Sequence, residues 1–204
     1  MSHRPIRLSR RSTLAGLAAL PLLSALPARA QEERVLGDVV LGDENAPLTV
    51  IEYISFTCPH CAAFHATTWP KFKANYIDTG KIKFIMREVY FDPYGLWASM
   101  VARCGGADVF YPIADQLLTK QNAWSRSGNV ANEIQKIGQL NGLSGSQMAA
   151  CLTDRPYAEE LVARYQANAQ EHGVKSTPSF VINGDLYAGN MPYEELAAIV
   201  DGYL

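Results

Sequence analysis

Two cysteines two positions apart, in the box Cys58-Pro59-His60-Cys61, are the residues of this chain best suited to chemistry. A pair at that spacing can close a disulfide and open it again by exchange. The run Leu48 to Ser55, rich in apolar and β-branched residues and bounded upstream by Asn45-Ala46-Pro47, reads as a central strand leading into the box. A helix opening at Pro59 then places Cys58 beside unsatisfied backbone N–H groups at the positive end of the helix dipole, where a thiolate is favoured. The dipole supplies roughly 1 to 2 kcal/mol, whereas one pKa unit takes about 1.4, so hydrogen bonds to the sulfur and the adjacent His60 must add the rest. Cys58 is therefore expected to attack and leave, and Cys61, one turn into the helix and more shielded, to resolve. Other uses of the box fail on spacing. Zinc wants a second pair of ligands, c-type haem wants His where Ala62 stands, and a bridge across two residues closes too small a loop to stabilise much. A copper(I) or zinc chaperone using the same soft sulfurs is the alternative from a binding class, for which no additional Met or His ligands stand near the box.

Glu52 lies on the central strand and shares a face with Leu48, Val50 and Ile54. A carboxylate among apolar side chains is disfavoured in its charged form, so it can take or give the proton of Cys61. Lys83, on the next strand, reads as solvated rather than as its partner. His65 and His172 have no ligand or charge partner at useful spacing and are expected to be ordinary surface or helix-end residues. Trp69, Trp97 and Trp124 read as core, and Phe56 and Tyr94 as possible borders of an apolar groove.

The elements that must position the box follow from pattern. Val35 to Leu41 reads as an edge strand. Pro70 interrupts the helical stretch from Pro59 to about Asp78, because it lacks an N–H and crowds the preceding turn. Lys81 to Val89 is a further strand, Phe180 to Ile182 another, and Asn183-Gly184 a hairpin turn into Leu186-Tyr187. A last helix runs from about Pro192 to Tyr203. Between Tyr94 and His172 every signal is helical: Leu96 to Arg103, Val109 to Lys120, Val130 to Leu140, Gln147 to Leu152 and Pro156 to Glu171. The order predicts an α/β domain whose mixed sheet carries an inserted α-helical subdomain at about 94–172.

Residues 1–30 read as a cleaved export signal: Arg4, Arg7, Arg10 and Arg11, an apolar stretch Leu14 to Leu26, and Ala28-Arg29-Ala30 as the cut. Ser9-Arg10-Arg11 resembles a twin-arginine signal, and Arg29 near the cut disfavours the general secretory (Sec) route. Cleavage leaves residues 31–204 as one domain of 174 residues, with 13 basic residues against 20 acidic ones and a net charge of about −7, which argues against nucleic acid or anionic lipid as partner. In an oxidising compartment the two remaining cysteines, Cys104 and Cys151, are expected to pair, the alternative being two buried free thiols.

Val50 to Cys61, the helical insert and Thr177-Pro178 together resemble the DsbA family of bacterial periplasmic thiol-disulfide oxidoreductases. The resemblance implies a thioredoxin-like fold, Cys58 as nucleophile, Cys61 as resolver, and an acidic residue at the place of Glu52. It also implies Pro178 in cis beside the sulfurs, leaving the backbone of Thr177 to pair with an extended substrate peptide. It implies reduced exported polypeptides as substrates and a quinone-linked membrane reoxidant of DsbB type. No cofactor or metal is expected, since the Cys58–Cys61 disulfide is itself the redox group. His60 favours an oxidase. Thr177 departs from the Val of the best-known oxidases and is shared with isomerase and reductase relatives, which keeps isomerase or reductase as the alternative. Only about fifteen residues separate Gln31 from Ala46, too few for the dimerisation domain that isomerases of this class carry, so a monomer is expected.

Overall fold

The computed structural model describes Met1 and residues 34–204, so the expected export signal falls outside the described residues apart from Met1. Strands β1 (Val40–Gly42), β2 (Leu48–Ile54), β3 (Ile82–Glu88), β4 (Ser179–Ile182) and β5 (Asp185–Ala188) form one sheet in the order β1-β3-β2-β4-β5. β2 and β3 run parallel, with Glu52 opposite Met86, and the other pairings are antiparallel, with Glu52 opposite Phe180 across β2 and β4. Strand alternation sends Val50, Glu52 and Ile54 into the main core with Phe84, Phe180 and Ile182. Ile51 and Tyr53 face the other way, onto Val89, Val181 and Tyr165. Both faces of β2 are thus covered, which explains its nearly continuous apolar run.

β1 is shorter than the strand expected over 35–41. Val35 N–H donates to Arg103 O and Val35 O accepts from the Arg103 guanidinium, so the backbone at the start of this stretch is tied to the helical insert, while Asp38 pairs with Arg87 of β3 through its side chain. The hairpin is as expected: Asn183 and Gly184 both have positive φ, 51° and 92°, the conformation of a two-residue turn between twisted strands.

α1 (Pro59–Thr67) and α2 (Trp69–Phe72) are two pieces of one interrupted helix. Pro70 has no N–H to give the carbonyl four residues back, and the chain continues past α2 as a single π turn, Lys73–Ile77. The insert comprises α3 (Pro93–Cys104), α4 (Ala107–Thr119), α5 (Gln121–Ser125), α6 (Val130–Leu140), α7 (Gly145–Leu152) and α8 (Arg155–Glu171), and α9 (Tyr193–Asp201) closes the described chain. Several helices start one to three residues earlier than hydrophobic periodicity indicates, because their caps set the boundary. Asp92 accepts from Gly95 N–H, Ser144 and Gln147 form a capping box, and Asp154 accepts from Tyr157 N–H. α5 is too short to give a periodic signal and was not expected.

Two features fasten the insert. A disulfide joins Cys104 of α3 to Cys151 of α7, with Cα atoms 6.1 Å apart. Arg103 donates to both carboxylate oxygens of Glu88 on β3, at 2.7 and 2.6 Å, in a pair that is almost wholly buried, and reaches Gly37 O at 2.8 Å. No helix among the described residues is long and apolar enough to cross a membrane.

Candidate active site

β2 ends at Ile54, and four residues later Cys58 caps the N-terminus of α1 in an extended conformation. Pro59, at the first helical position, lacks the N–H that would go unpaired there. The turn between strand and helix is held from three sides. Cys58 N–H donates to Ser55 O at 3.1 Å. Thr57 Oγ1 donates to Asp92 Oδ2 at 2.5 Å, tying the turn to the start of α3. Gln121, buried on α5, donates from Nε2 to both Phe56 O and Cys58 O, each at 2.8 Å. Sequence reasoning missed Gln121 because a glutamine in a polar-looking five-residue helix carries no signal until the fold brings it 63 residues back along the chain.

Cys58 is half-buried and Cys61 fully buried, both as free thiols. Cys58 Sγ donates to Thr177 O at 3.4 Å, the peptide bond from Thr177 to Pro178 is cis, and Thr177 Oγ1 is buried without a partner in this thiol state. The two sulfurs are pushed apart in acidity. A hydrogen bond from Cys61 lowers Cys58 most, overcoming desolvation, with Thr177 and the backbone N–H groups of Cys61 and His60 adding to it, to about 5. Cys61 is driven far above the ordinary thiol range, first by burial, then by its bond to Cys58 and the charge of Glu52. His60 contributes backbone to the site, and its side chain is exposed beside Pro59.

Glu52 is completely buried, on the face the alternation assigned to it. Its partner is His65 of α1, with Nε2 3.1 Å from Oε2, while Glu52 Oε1 and His65 Nδ1 have no partner. The expectation that His65 is an ordinary surface residue is therefore wrong: the helix turn after Cys61 carries it beneath α1. His172 does lie at a helix end, capping α8, but it also bonds the Tyr53 hydroxyl at 2.7 Å. Lys83 is not near Glu52 in register; it lies opposite Thr49 and Gly42. Phe56 is buried under the turn, whereas Tyr94 and Phe91 are exposed. Trp69 and Trp124 are core residues, and Trp97 is only partly buried.

A family model described as thioredoxin matches residues 34–202. A Rickettsia bellii protein carrying the name protein-disulfide oxidoreductase is 36% identical over 165 residues, covering 80% of this chain and 63% of its own length. The chain spans about three fifths of the length of the first curated relatives it matches. The crystal structure of Wolbachia pipientis α-DsbA1 superposes with a TM-score of 0.76 at 27% identity, covering 83% of this chain and 92% of that one. Bacillus subtilis BdbD in its oxidised form shares the fold, with a TM-score of 0.73 at 20% identity over 81% of this chain and 92% of that one. With a thioredoxin-like sheet, a helical insert between β3 and β4, and Cys-Pro-His-Cys at the head of α1, the chain belongs to the DsbA family of the thioredoxin superfamily.

Proposed function

We propose that this chain is an exported thiol-disulfide oxidoreductase that oxidises cysteine pairs in other polypeptides. The observation that carries the reading is the contrast between the sulfurs. Cys58, at the head of α1, is held as a thiolate at neutral pH, and Cys61, three residues on, stays protonated and enclosed. In the oxidised enzyme a substrate thiolate attacks Cys58 Sγ, the Cys58–Cys61 bond breaks, and a mixed disulfide forms through Cys58. A second substrate thiolate then expels Cys58, whose stability as a thiolate makes it a good leaving group.

Cys58 is the nucleophile and leaving group, Cys61 the resolving thiol, and Glu52 the carboxyl that exchanges a proton with Cys61. Pro59 starts the helix and His60 supplies a backbone N–H to the sulfur. Thr177 and Pro178 present a substrate strand to Cys58, with the Thr177 carbonyl already directed at the sulfur. Cys104–Cys151 is a structural bridge between α3 and α7 of the helical insert. The two sulfurs act without cofactor or metal. Reduced exported polypeptides are the substrates, and a quinone-linked membrane protein of DsbB type is the reoxidant, in the periplasm after cleavage at residue 30. The names borne by the relatives support exchange of disulfides, and the lowered pKa of Cys58 favours oxidation over isomerisation.

Oxidation of a reduced two-cysteine peptide tests this. The oxidised chain should convert it to the disulfide stoichiometrically, Cys58→Ser should be inert, and only Cys58 should be alkylated rapidly near pH 6. Faster alkylation of Cys61 would overturn the roles.

A further inference from the structure

His65 is a buried titratable group that the mechanism does not use. Cys61 and His65 stand four residues apart on α1, so they lie on the same face of the helix, one turn above the other. Glu52 projects from β2 beneath that face and meets His65 at 3.1 Å, with side chains 0% and 1% exposed respectively. Burying a lone carboxylate is costly. A histidine partner lets the pair hold a single mobile proton at constant net charge, as acid with neutral imidazole or as carboxylate with imidazolium.

The far side of His65 is informative. Its Nδ1 has no protein partner, and the residue lines a groove of about 720 Å³ between α1, α2 and α4, walled by Trp69, Pro70, Tyr111 and Pro112 with Lys73 and Asp115 among its lining. None of Cys58, Pro59, His60, Thr177 and Pro178 lines this groove. The titratable groups around His65 are Cys61 on its own helix, Glu52 on β2, Tyr111 and Asp115 on α4, and Lys73 beyond α2. The Tyr111 hydroxyl is occupied, donating to Val39 O at 2.8 Å and accepting from Met86 N–H at 3.1 Å, so it is not the next proton carrier.

We propose that His65 relays the proton of Cys61 between Glu52 and the groove behind α1, so that the resolving sulfur exchanges its proton with solvent while a polypeptide covers Cys58. The inference rests on the oxidoreductase reading above. When a substrate thiolate bonds to Cys58 Sγ and the Cys58–Cys61 bond breaks, the bonding pair stays on Cys61. Cys61 takes a proton from Glu52, Glu52 is refilled by His65, and His65 by water in the groove. The substrate sulfur is oxidised and Cys61 reduced. In reverse, the Cys61 proton passes to Glu52 and out through His65 as the sulfur attacks a mixed disulfide at Cys58 and expels the partner as a thiolate. His65 makes no hydrogen bond to either sulfur among the described residues, so it is a positioning and relay residue.

The test uses the reduced full chain mixed with oxidised glutathione. Attack by Cys58 gives a second-order phase, and expulsion of glutathione by Cys61 a first-order phase. His65→Gln, which keeps a hydrogen-bonding group beside Glu52 but cannot accept and release a proton, should leave the first phase unchanged and slow the second at least about tenfold, with a flattened pH profile. His65→Ala should be equally slow and recover on addition of imidazole, which the groove can admit. A second phase at the wild-type rate in His65→Gln would overturn the proposal. So would equal slowing of both phases without recovery by imidazole, the signature of a purely structural role. Failure of the wild-type Cys58 phase would instead remove the oxidoreductase reading itself.

Discussion

Replacing Cys61 with alanine isolates what holds Cys58 as a thiolate. The largest cause of its acidity is the hydrogen bond from Cys61, followed by Thr177 and the N–H groups of Cys61 and His60. A hydrogen bond to a charged group contributes about 1.5 to 3 kcal/mol, and a thiol is a weak donor, so the low end applies. At 1.36 kcal/mol per unit that is roughly one unit. Cys61→Ala should therefore move Cys58 from about 5 to roughly 6, and Cys61→Ser, which keeps a hydroxyl donor, should move it less. Thiolate absorbance near 240 nm against pH reads this directly, and alkylation rates give an independent curve. An unchanged titration in the alanine variant would show that Cys61 contributes nothing. A titration returned to the ordinary 9.0 would show that the helix N-terminus and Thr177 contribute nothing.

The same acidity links to stability. The folded value of Cys58 lies below its unfolded one, so its contribution to the reduced protein is fully present above about pH 9 and is lost as pH falls through about 5. Two units separate pH 7 from about 5, which is close to 2.7 kcal/mol, and partial exposure of the sulfur discounts it to about 2. The oxidised protein has no thiolate and gains none of this. The difference raises the reduction potential by about 40 mV at pH 7, at 30 mV per 1.4 kcal/mol.

Gln121→Leu removes both donors to the catalytic turn and should cost about 1 to 3 kcal/mol in denaturant unfolding, with a displaced Cys58 titration; unchanged values for both would remove Gln121 as a clamp. Arg103→Met leaves the Glu88 carboxylate buried and unpaired, so unfolding free energy should fall by about 3 to 5 kcal/mol at neutral pH. Replacing both Cys104 and Cys151 with alanine frees a loop of sequence separation 47 and should cost about 4 kcal/mol by chain entropy while leaving the Cys58 titration unmoved. Peptide mapping without reduction that found both thiols free would refute the bridge.

The parts of the site carried by neighbours in sequence were legible: strand, turn, Cys58, helix, Cys61, and the inward face of Glu52. Each depends on local pattern, periodicity two on the strand and a proline-started helix after it. Two partners that matter were not legible, for different reasons. His65 reads as unremarkable because its charge partner is 13 residues away on another element, and only the packing of α1 on β2 brings them together. Gln121 sits on a helix too short for periodicity, and its role depends on how α5 docks against the turn. The strand expected over 35–41 fails similarly, since alternation cannot show that Arg103 claims the backbone of Val35.

The equilibrium of the Cys58–Cys61 pair with reduced and oxidised glutathione at pH 7 tests the central claim most directly. A thiolate stabilised at Cys58 beside a protonated Cys61 favours the reduced enzyme, so the account predicts a potential clearly more oxidising than the roughly −270 mV of thioredoxin. A value at or below about −270 mV would contradict it and make the chain a reductase on the same fold.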